Sequence, residues 1–205
     1  MIVHDMSQGS DDWFQYRAGR PTASNFKMLV TSTGLASKSM KGYAMQLAAD
    51  KYAGKALDGF SGNQYTDRGT ELEPFARKYY EFEKDCDVVE TGFITDDLNQ
   101  YGASPDGLVD DNGLVEFKCQ IAKKHIETLL YFDKHDKCPP DYVPQVQGQM
   151  HIIEREWCDL VFFHPDLPTL VIRQFPDAKV IDTLKSQLMA VIAERNLILK
   201  TIEKY

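Results

Sequence analysis

Residues 102–119 read as two short strands folded around Asp110-Asp111-Asn112-Gly113, and this hairpin constrains the fold more than any other stretch of the chain. An Asp-Asn-Gly run between apolar segments is a strong hairpin signal. Side chains alternate faces along a strand, so Glu116 and Lys118 share a face and Phe117 points away. The direction of Asp106 depends on the turn. A two-residue loop at Asn112-Gly113 pairs Asp106 with Cys119 and sets it on the opposite face. A three-residue loop, 111–113, pairs Asp106 with Lys118 and aligns all three side chains. Glycine at the third loop position suits the left-handed backbone of such loops, so the longer loop is the expected one.

That alignment has chemical content. Two carboxylates hold a hard divalent cation through oxygen, and a neighbouring lysine positions or activates a water beside it. Metal-dependent phosphodiester hydrolysis needs this set of parts. A solvated hairpin with ordinary surface charges accounts for Asp110 and Asp111. It accounts less well for Glu116, which sits in the otherwise apolar Leu114-Val115-Glu116-Phe117-Lys118-Cys119. A charge that deep is uncommon without a partner or a metal.

The chain has 205 residues, enough for one good-sized domain with a real core, and a single domain over 1–205 is expected. No apolar stretch approaches membrane-spanning length. Met1-Ile2-Val3-His4-Asp5 lacks the basic and apolar regions of a signal peptide. Cys86, Cys119, Cys138 and Cys158 form no paired ligand motif, so neither disulfides nor structural zinc is expected and a cytoplasmic location is. The net charge of −8 argues against a generic DNA-coating protein but not against an enzyme with one local basic channel.

Apolar spacing predicts helices over 10–17, 38–56, 69–84, 122–132 and 143–154, with Ser10 capping the first and a further short helix following Thr22-Ala23-Ser24. Strands are predicted over 88–95, 157–163 and 170–175, and a long C-terminal helix starts at Asp177 or Asp182. The order implies an α/β chain of the α+β kind, a central mixed β-sheet with helices on its faces.

Three other constellations leave their readings open. Arg17 with Thr22 and Ser24 suits a phosphate, yet an arginine on a short helix is commonly a surface ion-pair residue. Glu71 and Glu73 open a helix, where acids serve the helix dipole. Gln145 and Gln149 share a helix face and Gln147 does not, which fits either a plain polar face or amides that hold a water or a phosphate oxygen.

Taken together and in order, these segments resemble the phage lambda exonuclease family, the YqaJ-like, phage-type recombination exonucleases of the PD-(D/E)XK nuclease superfamily. The resemblance runs over about 8–163. It is carried by Gln8-Gly9-Ser10-Asp11-Asp12-Trp13 with Arg17-Ala18-Gly19, by Thr22-Ala23-Ser24, by Gly69 with Glu73 and Ala76-Arg77, by Ser104-Pro105-Asp106-Gly107-Leu108, by Glu116-Phe117-Lys118-Cys119, and by Gln145-Val146-Gln147. It implies a restriction-endonuclease-like core. It implies Asp106 and Glu116 as Mg2+ ligands, joined by the backbone carbonyl of Phe117, with two ions bound and Mn2+ able to substitute. Lys118 would orient and deprotonate the attacking water, a role that needs a pKa below the ordinary value of about 10.4. Glu73 would approach the metal from its helix, and Gln145 would contact the water or the scissile phosphate. Arg17, Ser24 and Ser104 would hold the 5′-terminal phosphate.

The function so implied is Mg2+-dependent 5′→3′ exonucleolysis of one strand of linear double-stranded DNA from phosphorylated ends. The 3′ overhangs would serve recombination by strand annealing. A ring-shaped homotrimer and a single-strand DNA annealing protein as partner come with the resemblance, as does a bacterial or phage-encoded origin. The family also places a duplex-parting wedge just before the Glu73 helix. Here that region reads Asn63-Gln64-Tyr65-Thr66-Asp67-Arg68, where Tyr65 can stack on a base, and no wedge is assigned. The alternatives are a restriction-type endonuclease of the same superfamily and a DNA-end-binding recombination module that does not cut.

Overall fold

The computed structural model describes residues 1–57 and 64–205, with backbone alone at 64–67. Asn63 and the Tyr65 side chain therefore lie outside the described residues. Strand β1 (Ile2–His4) leads to α1 (Asp11–Arg17), whose N-cap Ser10 accepts from the Trp13 N–H as its sequence position predicts. Gly19 then turns the chain at φ +71°. A Cβ there would stand 2.4 Å from Lys51 Cβ, so glycine also lets this turn press on α2 (Met40–Ala53). Between them Ala23–Met28 forms a 3-10 helix. Helix α3 (Gln64–Lys84) precedes the remaining strands.

The strands form separate sheets. One is β1 with β3 (Phe93–Thr95) and β4 (Gly102–Ala103), in the order β1-β3-β4. The other runs β2-β5-β6-β7-β8, from β2 (Val88–Val89), β5 (Gly107–Val109), β6 (Gly113–Cys119), β7 (Trp157–Phe163) and β8 (Leu170–Gln174). It is mixed: β6 and β7 are parallel and the other pairs antiparallel. Parallel neighbours need a crossover. Here it is α4 (Ala122–His135) followed by α5 (Val143–Ile153). Helix α6 (Ala178–Ile202), capped by Asp177, closes the chain.

The mixed sheet buries both faces. Leu114, Cys158, Leu160 and Phe162 pack toward Phe26, Val146, Met150, Leu184 and Leu188. Val115, Phe117, Val161 and Phe163 pack toward Ala76 and Tyr80 of α3. Glu116, between Leu114 and Lys118, thus lies on the face covered by α5. Gly148 lets α5 press on the 3-10 helix, since a Cβ there would stand 2.2 Å from the Phe26 ring.

Three local expectations are corrected. Residues 88–95 are not one strand but β2 and β3, in different sheets. Between them Gly92 passes so close to the N-terminal segment that a Cβ would meet His4 O at 2.3 Å. Residues 102–109 likewise divide into β4 and β5, because Pro105 has no N–H for a ladder. The hairpin loop has three residues, but they are Asp110, Asp111 and Asn112, with Val109 opposite Gly113. Asp110 takes the left-handed conformation at φ 48°. Gly113 lies instead under the Trp157 ring, where a Cβ would stand 2.1 Å from Cζ2.

Candidate active site

The register change leaves the acidic face intact. Continuing the pairing from Gly107 opposite Val115 sets Asp106 opposite Glu116 rather than Lys118. A shift of two residues keeps side chains on the same face, whereas a shift of one would reverse it. Asp106 is fixed by its own strand partner: the Phe117 N–H donates to Asp106 Oδ2 at 2.6 Å. In an extended strand the N–H and C=O of one residue face the same neighbour. The Phe117 carbonyl therefore faces the same edge, beyond the point where β5 pairing begins.

Glu116 is 3 % exposed and accepts three donors. Lys118 Nζ reaches Oε1 at 2.7 Å, Gln145 Nε2 reaches Oε1 at 2.5 Å, and Gln149 Nε2 reaches Oε2 at 2.6 Å. The glutamine helix face is thus aimed at one buried carboxylate. Gln147, on the other side of α5, donates to Phe175 O and accepts from the Asp177 N–H, tying α5 to the start of α6. Glu73 projects from α3 and accepts from Arg77 Nη2 at 3.1 Å; Arg77 also pairs with Glu90.

Like charges converge here. Burial, then Glu116, then Glu73 hold the Asp106 carboxyl well above the ordinary carboxylate range. Burial raises Glu73 too, opposed by Arg77 and reinforced by Glu116. Burial alone would lower the Lys118 ammonium, but Glu116 and Asp106 outweigh it and raise Lys118 above its ordinary value. That shift is opposite to the one a general base requires.

The donor set fits a hard divalent cation. Asp106, raised by burial and then by the neighbouring Glu116, lies beside that second buried carboxylate and a carbonyl on the same edge, and together they offer oxygen ligands to a positive charge. Among the described residues no three His, Cys, Asp or Glu side chains make a complete cage. Mg2+ is commonly bound by one or two carboxylates, its remaining positions filled by water and substrate phosphate.

A second group adjoins the first through Ser104-Pro105-Asp106. The Arg17 guanidinium lies 3.7 Å from the centroid of the Trp13 ring, and its Nη2 donates to Ser24 Oγ at 3.2 Å. Trp13 Nε1 donates to Ser104 Oγ at 2.9 Å. Arg17, Ser24 and Ser104 are thus brought together, with the indole as the link. Burial lowers Arg17 to about 10, and no carboxylate forms an ion pair with it among the described residues. Gln8 Nε2 donates to Pro105 O at 2.8 Å and to Thr91 O at 2.9 Å, clamping the connecting tripeptide. A cleft of about 1390 Å³ joins the groups, lined by Trp13, Arg17, Ser24, Glu73, Arg77 and Asp106.

Sequence reasoning gave no role to Trp13 or Arg77, and left Gln149 between a plain polar face and an amide that holds a water or a phosphate oxygen. The signal for Gln149 was available, since it stands four residues after Gln145 on one helix face. Trp13 carried no such signal, because its contacts are made across the fold.

Residues 12–156 match the YqaJ-like viral recombinase domain. The chain is 33% identical to the alkaline exonuclease LHK-Exo of Laribacter hongkongensis, with a TM-score of 0.83 over 95% of this chain and 97% of that one. The complex of LHK-Exo with dAMP gives a TM-score of 0.82 over the same shares, 95% and 97%, at 33% identity. A phage-related exonuclease of Haemophilus somnus 129PT shares the fold at 16% identity, with a TM-score of 0.71 over 89% of this chain and 96% of that one. The uncharacterized protein R354 of Acanthamoeba polyphaga mimivirus is 22% identical over 169 residues, 78% of this chain. The match spans only 29% of that viral protein's length. The family and the mixed-sheet fold read from the sequence agree with these matches.

Proposed function

The chain belongs to the YqaJ-like viral recombinase family, and from that premise we propose that it is a Mg2+-dependent exonuclease acting on linear double-stranded DNA. It degrades one strand 5′→3′ from a phosphorylated end and leaves a 3′ overhang for recombination by strand annealing. The observation that carries this reading is the junction at Ser104-Pro105-Asp106. One end of this tripeptide belongs to a cationic corner with no carboxylate ion pair among the described residues, the other to a cluster of acids. A corner of that kind suits a terminal phosphate, and the acids beside it suit cleavage one step along the strand. The likeness to an alkaline exonuclease, and to its complex with dAMP, supports a nuclease that handles nucleotides.

Asp106, Glu116 and the Phe117 carbonyl would hold Mg2+ or Mn2+, with two ions at work. When bound, the metal supplies Lewis-acid stabilisation of the phosphoryl oxygens and a more acidic water. Lys118 would orient the attacking water and stabilise the developing charge electrostatically. Gln145 orients water or the scissile phosphate, and Glu73 supplies further negative charge from α3. Arg17, Ser24 and Ser104 bind the 5′-phosphate and so place the next phosphodiester over the acids.

The reading extends to a homotrimeric ring around duplex DNA and to a single-strand annealing protein as partner, in a cytoplasmic setting. Among the described residues no helix is long and apolar enough to cross a membrane.

The test is digestion of linear duplex labelled separately at its 5′ and 3′ ends, with and without a chelator, beside closed circular duplex. Release of 5′-terminal nucleotides that stops with chelator, with circles left intact, is expected. Cutting of circles, or release from 3′ ends first, overturns the proposal.

A further inference from the structure

Glu116 is held asymmetrically. Its Oε1 takes donors from partly exposed side chains, Lys118 at 2.7 Å and Gln145 at 2.5 Å. Its Oε2 takes one donor, Gln149 Nε2 at 2.6 Å, from a side chain that is 0% exposed. The orientation of that amide is forced. An oxygen turned toward Oε2 would set lone pairs against lone pairs, so the nitrogen must face the carboxylate. Gln149 Oε1 then points away and has no hydrogen-bond partner among the described residues. An orphaned buried amide oxygen is a standing cost to the fold. It is retained where the other end of the amide has work that an apolar side chain cannot do.

We propose that Gln149 is a positioning residue for the divalent cation: it anchors Glu116 Oε2 from inside the protein, so that Oε1 alone is offered to the ion. Lys118 and Gln145 are the donors that move off Oε1 when an ion enters. Gln149 stays, because among the described residues its Nε2 has no acceptor other than Glu116 Oε2. The two glutamines, one turn apart on α5, thus divide one carboxylate between a fixed and an exchangeable oxygen. The inference rests on Glu116 being a cation ligand, as proposed above.

The test is Mn2+ titrated calorimetrically into the full-length protein without DNA. Gln149→Met, which keeps the length and apolar bulk but not the donor, is expected to weaken Mn2+ binding by about 10–100-fold, the usual cost of losing an outer-sphere partner. The Mg2+ concentration for half-maximal cleavage should rise by a similar factor, with KM for DNA at saturating Mg2+ unchanged. Gln149→Asn, which keeps an amide but withdraws it by one methylene, should shift both in the same direction and serves if the methionine variant does not fold. A folded variant with a lower Tm but wild-type Mn2+ affinity has lost only packing, and that result overturns the anchoring role. Glu116→Gln separates this from the underlying reading. If it retains wild-type Mn2+ binding, the cation site itself is refuted. If it loses binding while Gln149→Met keeps it, only the role of Gln149 is refuted.

Discussion

Replacing Trp13 with phenylalanine isolates the bond that joins the proposed phosphate corner to the acidic strand. The substitution keeps a ring for the Arg17 guanidinium to lie on and removes the indole N–H that reaches Ser104 Oγ at 2.9 Å. One such hydrogen bond contributes about 0.5–1.5 kcal/mol. At 1.36 kcal/mol per decade, the preference for a phosphorylated end should fall by about 2–12-fold. Trp13→Ala also removes the ring, which adds about 0.5–2 kcal/mol of cation–π contact and deepens the loss. Arg17→Ala removes the charge itself, and a hydrogen bond to a charged group is worth about 1.5–3 kcal/mol, or about 10–150-fold. The assay is the ratio of single-turnover rates on 5′-phosphorylated and 5′-hydroxyl duplexes, which cancels changes in folded fraction. A graded fall from wild type through Trp13→Phe to Arg17→Ala is expected. A ratio unchanged in Arg17→Ala refutes the reasoning, since the proposed corner seats the terminal phosphate on that guanidinium.

Asp106→Asn should abolish cleavage yet leave the metal-free protein at least as thermally stable as wild type, because the burial and like-charge repulsion that raise Asp106 are relieved; Mg2+ should raise the Tm of wild type and not of the variant, as read by differential scanning calorimetry. Gly113→Ala would put a Cβ 2.1 Å from the Trp157 ring and should cost about 1–3 kcal/mol in urea unfolding. Burial raises the Tyr43 hydroxyl from 10.0 to about 12. A raised acid binds more protons folded than unfolded, so its contribution is complete below pH 10 and is lost as the pH climbs toward 12. That loss amounts to about 2–3 kcal/mol, and urea unfolding between pH 9 and 12 should show a shallower decline in Tyr43→Phe than in wild type.

The candidate site was legible because its residues obey local periodicity. Glu116 and Lys118 alternate on one strand, Gln145 and Gln149 repeat on one helix, and Ser10 caps the turn that carries Trp13 and Arg17. The hairpin register was misplaced, since the sequence offers Gly113 as a loop glycine and only the fold shows it beneath Trp157. The error did no harm to the acidic face because the true register differs by two residues, which preserves the side of the sheet. The division of 88–95 and 102–109 between two sheets was missed for different reasons. The break at Pro105 had a local signal, a residue without an N–H for a ladder, but the break at Gly92 is set by contact with the remote N-terminal strand region. The same holds for Lys118: composition cannot tell whether burial or neighbouring acids govern its ammonium, and the acids prevail.

The most direct test of the central claim is anomalous diffraction from crystals soaked in Mn2+. The account requires a peak within bonding distance of both Asp106 and Glu116, with Glu116 contributing Oε1. A well-ordered crystal with no anomalous density between these side chains, in protein that cleaves linear duplex in the same Mn2+ buffer, contradicts it.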